Sequence, residues 1–215
     1  MMSVVTVNNV FSEEQLQTLH NIINHKGMPT SELHSEFPHD HTNCDPVPEV
    51  YDPTTGIDRT VGRIQTGRID SYLPDDIKSR MLQIVDDILG EPCAIAHALH
   101  SIYSNKYGTP NLPPHFDGDS NDLIINFQLS SNTKWDLGIN HDLYSLENNE
   151  ALVFNANTEI HWRPHKVFND GEYVQMIFIR CHKVGSKSNF SYMYNTPSID
   201  INKIFADANK VRDSL

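Results

Sequence analysis

Twelve of the 215 residues are histidines, and the first question is which of them can act together. His115 and Asp117 form a His-Phe-Asp triplet. In an extended chain alternate side chains share a face, so an imidazole and a carboxylate would point the same way. The triplet alone means little in a chain rich in both residues; its setting gives it weight. It follows a Tyr107-Gly108-Thr109-Pro110 turn and Pro113-Pro114, and it precedes a cleanly alternating run at 123–129. A third ligand from a distant strand would complete two imidazoles and one carboxylate on one face of an octahedral Fe(II). Three positions would stay open for a bidentate co-substrate and O2. His161 fits that part, because it opens a strand a short loop after the apolar run 151–155. His165, four residues on, is the alternative.

The other histidines have plainer readings. His20 and His25 belong to a first helix, His97 and His100 to a strand, His141 to a hairpin turn, and His182 to the end of the last strand beside Cys181. His34, His39, His41 and Cys44 crowd one loop, but their spacing matches no standard structural zinc pattern. That loop reads as solvated and substrate-facing.

These groups need elements to hold them. Residues 11–26 read as a helix: Ser12 at the N-cap, Glu13 and Glu14 in the first turn, and Leu16, Leu19, Ile22 and Ile23 at helical spacing. Residues 74–89 read as a second helix, ended by Gly90. Between them, 28–53 is a long loop and 63–72 a short strand with a turn. From residue 94 the period changes to two, with strands expected at 95–104, 123–129, 135–139, 151–155, 161–167 and 173–180. Many short strands without intervening helices predict an antiparallel sandwich or barrel. In 123–129, Leu123, Ile125, Phe127 and Leu129 fall on one face. Ile124, Asn126 and Gln128 fall on the other, which suits either a polar pocket inside a barrel or a solvated sheet face. A polar linker and a helix at 200–213 close the chain. The expectation is one domain: helical support and lid at 1–93, β core at 94–182, linker and helix at 183–215.

Composition excludes more than it explains. With 16 Lys+Arg against 28 Asp+Glu, the formal charge is −12, which disfavours binding to a phosphate backbone. Three scattered cysteines give no disulfide framework, which suits a reducing, cytoplasmic setting. No apolar run is long enough to span a membrane, and the N-terminus lacks the pattern of a secretory signal.

The stretches YGTPNLPPHFD (107–117), WDLGINHDLYSLENNEALVFNANTEIHWR (135–163) and EYVQMIFIR (172–180) resemble the double-stranded β-helix core of the 2-oxoglutarate/Fe(II)-dependent dioxygenases. The likeness is greatest to the prolyl-4-hydroxylase-like branch and its small bacterial and phage relatives. It implies a mainly β fold, a jelly-roll (cupin-like) core packed on N-terminal helices. It also implies Fe(II), 2-oxoglutarate and O2 as cofactor and co-substrates, with His115, Asp117 and His161 as iron ligands. The implied reaction is oxidative decarboxylation to succinate and CO2 coupled to hydroxylation of an unactivated C–H. Related halogenases carry a small residue where Asp117 stands, so its presence points to hydroxylation.

One departure matters. The family places an Arg or Lys nine or ten residues after the third His to hold the 5-carboxylate of 2-oxoglutarate, and here that stretch is Asp170-Gly171-Glu172. A guanidinium suits the task because it grips a carboxylate bidentately. Arg163 is the first candidate, with Tyr107 and Gln128 as neutral partners; Arg180 and Lys134 are the others. With His165 as ligand the ten-residue offset would fall on Gln175, which is not basic. Arg63 and Arg68 are candidates for a substrate carboxylate, the substrate being an amino-acid-like small molecule or a peptidyl side chain. Two other classes compete: a cupin-like metal-binding barrel without 2-oxoglutarate turnover, and a β-sandwich interaction module with coincidental histidines.

Overall fold

The computed structural model describes residues 4–23, 51–52, 57–58, 63–107, 109–110, 112, 114–117, 123–185, 206 and 209–210; at 51–52, 57–58, 64–68 and Tyr107 it describes the backbone alone. Most of the expected lid at 28–53 lies outside these residues. So does most of the expected C-terminal helix, of which 206, 209 and 210 are helical.

Two helices form where the apolar spacing predicts them. The first, α1 (Glu13–Ile23), begins with a reciprocal cap. Gln15 N–H donates to Ser12 Oγ at 3.3 Å, and Ser12 N–H donates to Gln15 Oε1 at 3.1 Å. The second, α2 (Asp75–Leu89), has Asp75 and Asp76 in its first turn, where the helix dipole favours negative charge. It ends at Gly90, whose φ of +70° lets its N–H return to the Asp86 carbonyl at 2.7 Å.

The strands are β1 (Val5–Asn8), β2 (Tyr51–Asp52), β3 (Ile57–Asp58), β4 (Arg63–Arg68), β5 (Cys93–Tyr103), β6 (Leu123–Ser131), β7 (Leu137–Ile139), β8 (Asp142–Tyr144), β9 (Glu150–Phe154), β10 (His161–Trp162) and β11 (Val174–Lys183). They form an antiparallel six-stranded sheet in the order β1-β9-β6-β11-β5-β4, a three-stranded sheet β10-β7-β8, and a small β2-β3 pair. The larger sheet packs one face on the helices. Ile125, Phe127, Val153, Ile177 and Ile179 meet Leu19, Ile77, Met81 and Val85 there. On its other face Ile124, Leu152 and Phe154 meet Leu137 and Ile139 of the smaller sheet. This is a mainly β jelly roll with helices on one side.

The alternation in β6 therefore resolves toward the pocket. Both of its faces are buried, Asn126 at 3% exposure and Gln128 at 5% included. β10 is shorter than its periodicity predicts, because Pro164 has no N–H with which to continue the ladder. Four short strands, β1, β2, β3 and β8, carry too few residues for a period-two signal and were not expected; β2 falls inside the stretch read as the loop 28–53.

Candidate metal centre

His115 and His161 face each other as an isolated antiparallel bridge. The N–H of His115 donates to the His161 carbonyl at 3.1 Å, and His161 N–H donates to the His115 carbonyl at 3.0 Å. Two residues on, Asp117 N–H donates to the Ala156 carbonyl at 2.9 Å. The backbone thus fixes where all three side chains start. Asp117 Oδ1 lies 3.8 Å from His115 Nε2 and 3.5 Å from His161 Nε2. One ligand atom from each residue falls within 4.8 Å of the others, and this is the cluster of metal-ligand type found among the described residues. Cis ligands about 2.1 Å from an ion stand roughly 3 Å apart. Side-chain adjustments of about 1 Å would close the set around a metal.

The surroundings suit that task. His161 Nδ1 lies 3.3 Å from the Glu159 carbonyl. With the proton on Nδ1, a metal ion taking the Nε2 lone pair would replace the hydrogen bond that Nε2 makes to Asp117. Asp117 and His161 are buried, whereas the His115 side chain is 34% exposed and marks the open side. Arg180 Nη2 holds the second carboxylate oxygen, Oδ2, at 3.0 Å. Burial works to raise the Asp117 carboxyl. The His161 hydrogen bond and charge, with Arg180 and His115 behind them, outweigh it and hold the group well below the usual carboxylate range. The carboxylate is ionised and ready to bind a cation.

These four residues open on a cavity of about 250 Å³ between the sheets. Leu99, Ile124 and Phe178 give it apolar walls, and Arg63, Tyr103 and Asn126 complete its polar lining. Of the residues singled out in the sequence, the structure brings His115, Asp117, His161, Arg180 and Arg63 together here. His165 is exposed and outside the cluster.

Arg163 does not line the cavity. Its guanidinium is buried, hydrogen-bonded to the Trp135 carbonyl, 3.7 Å from Met176 Sδ and stacked 4.7 Å over the Trp135 ring. Burial pushes it down to about 10. The alternation that placed Arg163 beside His161 holds only within a strand, and β10 ends at Trp162. Gln128 also turns elsewhere, donating to the Leu146 carbonyl at 2.9 Å and lining a neighbouring polar pocket with Lys134. Lys134 itself is largely exposed, 3.7 Å from Asp136. The Tyr107 and Arg68 side chains lie outside the described residues. Gln175 faces away from the site and pairs with His100 at 2.9 Å.

Sequence reasoning missed Tyr103, Leu99 and Phe178 as lining residues. The available signal was register: Leu99 and Tyr103 alternate along β5, and Phe178 and Arg180 along β11.

No family model matches the chain, and no curated protein matches its sequence. Its fold is shared with solved oxygenase structures at low identity. EctD from S. alaskensis, solved with 2-oxoglutarate and 5-hydroxyectoine, is 13% identical with a TM-score of 0.59 over 86% of this chain and 74% of that one. The non-heme alpha-ketoglutarate-dependent epimerase SnoN from nogalamycin biosynthesis is 10% identical with a TM-score of 0.54, over 91% and 83%. A prolyl hydroxylase from Trichoplax adhaerens, in complex with a hypoxia inducible factor peptide fragment, is 10% identical with a TM-score of 0.51, over 87% and 85%.

Proposed function

We propose that the protein is an Fe(II)/2-oxoglutarate-dependent dioxygenase that hydroxylates an unactivated C–H bond of an amino-acid-like small molecule or a peptidyl side chain, releasing succinate and CO2. The observation that carries this reading is the His115–Asp117–His161 cluster, set at the open end of a cavity between jelly-roll sheets. Two neutral nitrogens and one ionised oxygen on one side of a metal site are the donor set suited to Fe(II) with open positions.

His115, Asp117 and His161 would hold the metal, and bound iron with 2-oxoglutarate and O2 would supply the oxidising chemistry. The chain's own residues do the rest. Arg180 keeps Asp117 Oδ2 occupied, so that Oδ1 alone faces the imidazoles. Leu99, Ile124 and Phe178 keep bulk water from the reacting centre. The exposed edge of His115 leaves a path for substrate. Asp117 occupies the position that halogenases leave small, which supports hydroxylation. The substrate class draws support from the small molecule in EctD and the peptide in the prolyl hydroxylase.

The test is spectroscopic and then chemical. Anaerobic Fe(II) plus 2-oxoglutarate is expected to give a weak visible metal-to-ligand absorption band, and admission of O2 to give succinate. Absence of both would refute the reading; metal binding without succinate would favour the cupin-like barrel that lacks turnover. Because SnoN is an epimerase on the same fold, the product mass decides the outcome. Gain of one oxygen atom identifies hydroxylation, and an unchanged mass would refute it.

A further inference from the structure

Two guanidinium groups near the cavity have no carboxylate partner among the described residues. Arg63, on β4 at the edge of the large sheet, donates from Nη1 to the Tyr103 hydroxyl at 3.0 Å. Its Nε is buried without a hydrogen-bond partner. On the other side of Tyr103, whose ring packs 5.1 Å from that of Trp135, lies Arg163. Arg163 is 2% exposed; among the described residues it touches the Trp135 carbonyl, the Trp135 ring and the Met176 sulfur, with the Asp136 carboxylate acting on it from further off. A buried cation without a directly paired carboxylate is costly, and a bound anion relieves that cost.

The position is informative. In the large sheet Arg63 pairs with Tyr103, and Tyr103 with Val174 at the start of β11. Arg180 sits six residues further along the same strand, about 20 Å by strand rise. The cavity is therefore lined from two ends by long side chains: Arg180 reaches the metal cluster and Arg63 reaches in from the far end. Arg180 is already committed to Asp117 Oδ2. A dicarboxylic 2-oxo acid, chelating at the metal through its oxo-acid end, would send its other carboxylate toward Arg63.

We propose that Arg63 and the Tyr103 hydroxyl, with the positive charge of Arg163 behind them, hold the distal carboxylate of 2-oxoglutarate. The proposal rests on the dioxygenase reading. It replaces the basic residue missing at 170–172 with one from an edge strand far away in sequence, and it separates the two arginines by task. Arg180 positions a metal ligand; Arg63 binds the co-substrate.

The experiment compares two acids on Ni(II)-loaded protein by calorimetry: 2-oxoglutarate, and 2-oxopentanoate, which has the same chain length without the distal carboxylate. The wild type is expected to prefer 2-oxoglutarate by roughly 10- to 100-fold, the worth of a charge-assisted pair. Arg63→Gln is expected to reduce that preference to within a few-fold, while its Ni(II) affinity and its affinity for 2-oxopentanoate stay at wild-type values. Unchanged Ni(II) binding also shows that the variant is folded. Arg163→Met is expected to reduce the preference less. Retention of the full preference in Arg63→Gln would overturn the proposal, and loss of it in Arg180→Gln instead would move the anchor to β11. A wild type that binds both acids equally would also overturn it. A wild type that binds neither would remove the dioxygenase reading and the proposal with it, so the two failures are distinguishable.

Discussion

Gly138 is where a single methyl group should damage both the fold and the site. It pairs with Trp162 across β7 and β10, and the indole lies against it. A Cβ at position 138 would stand 2.5 Å from Cδ2 and 2.6 Å from Cζ2 of that ring. Ordinary carbon–carbon contact is about 3.5 Å or more, so the indole would have to retreat by roughly 1 Å. It has little room to do so: Trp162 is fully buried, and its Nε1 donates to the Asn140 carbonyl at 3.2 Å. Overpacking of this kind costs about 1–3 kcal/mol, and losing the indole hydrogen bond adds about 1 kcal/mol. At this chain length, roughly 2–4 kcal/mol lowers Tm by about 5–15 °C. The neighbour of Trp162 is His161, on a strand of two residues. A shift of ~1 Å there opens a ligand set that needs donors roughly 3 Å apart, so Ni(II) affinity should fall at least tenfold. Thermal unfolding followed by circular dichroism and a Ni(II) titration of Gly138→Ala measure both effects. Replacing the ring as well, in Gly138→Ala/Trp162→Leu, should cost less than the sum of the single changes. A Gly138→Ala protein with wild-type Tm and wild-type Ni(II) affinity would refute the reasoning.

Three further outcomes follow from the same structure. Saturating Ni(II) should raise Tm of the wild type, by the equivalent of about 2.7 kcal/mol at a hundredfold excess over Kd, and Asp117→Ala should abolish the shift; an equal shift in both would place the metal elsewhere. Asn149 adopts φ +66°, accepts from Phe11 N–H at 2.9 Å and donates to the Phe11 carbonyl at 2.8 Å. Asn149→Ala should therefore cost about 2–3 kcal/mol in a urea melt, and a change below about 0.5 kcal/mol would show that this tie of the N-terminal segment is unimportant. Burial, with Cys93 and Asp86 nearby, pushes the Cys181 thiol up from 9.0 to about 12. The unfolded chain releases that proton first, so the contribution of Cys181 to stability is full below pH 9 and is lost as pH rises toward 12. Cys181→Ala should flatten the fall in stability over that window; an identical slope in the variant would refute the assignment.

The metal cluster was legible in the sequence because its parts obey strand rules: His115 and Asp117 sit two apart, and His161 opens a strand after an apolar run. The two helices and the two faces of β6 were legible for the same reason, but alternation left open whether the polar face met a pocket or solvent, and the structure buries it. What failed was reasoning carried past the end of an element. Arg163 shares a face with His161 only if the strand continues, and Pro164 stops it. Arg63 could be named as a cation, but its partner Tyr103 lies 40 residues away. Sheet order, rather than spacing, brings them together. The strands β1, β2, β3 and β8 left no periodic trace, because each is shorter than the pattern that would announce it.

The bridge between His115 and His161 has a consequence for the order of events in the life of the protein. Each of the two histidines is anchored by a main-chain hydrogen bond to the other, so the separation of their backbones is set by strand pairing and needs no ion. Under the proposed function, a chain made while iron is scarce would wait, folded, and accept its metal by diffusion.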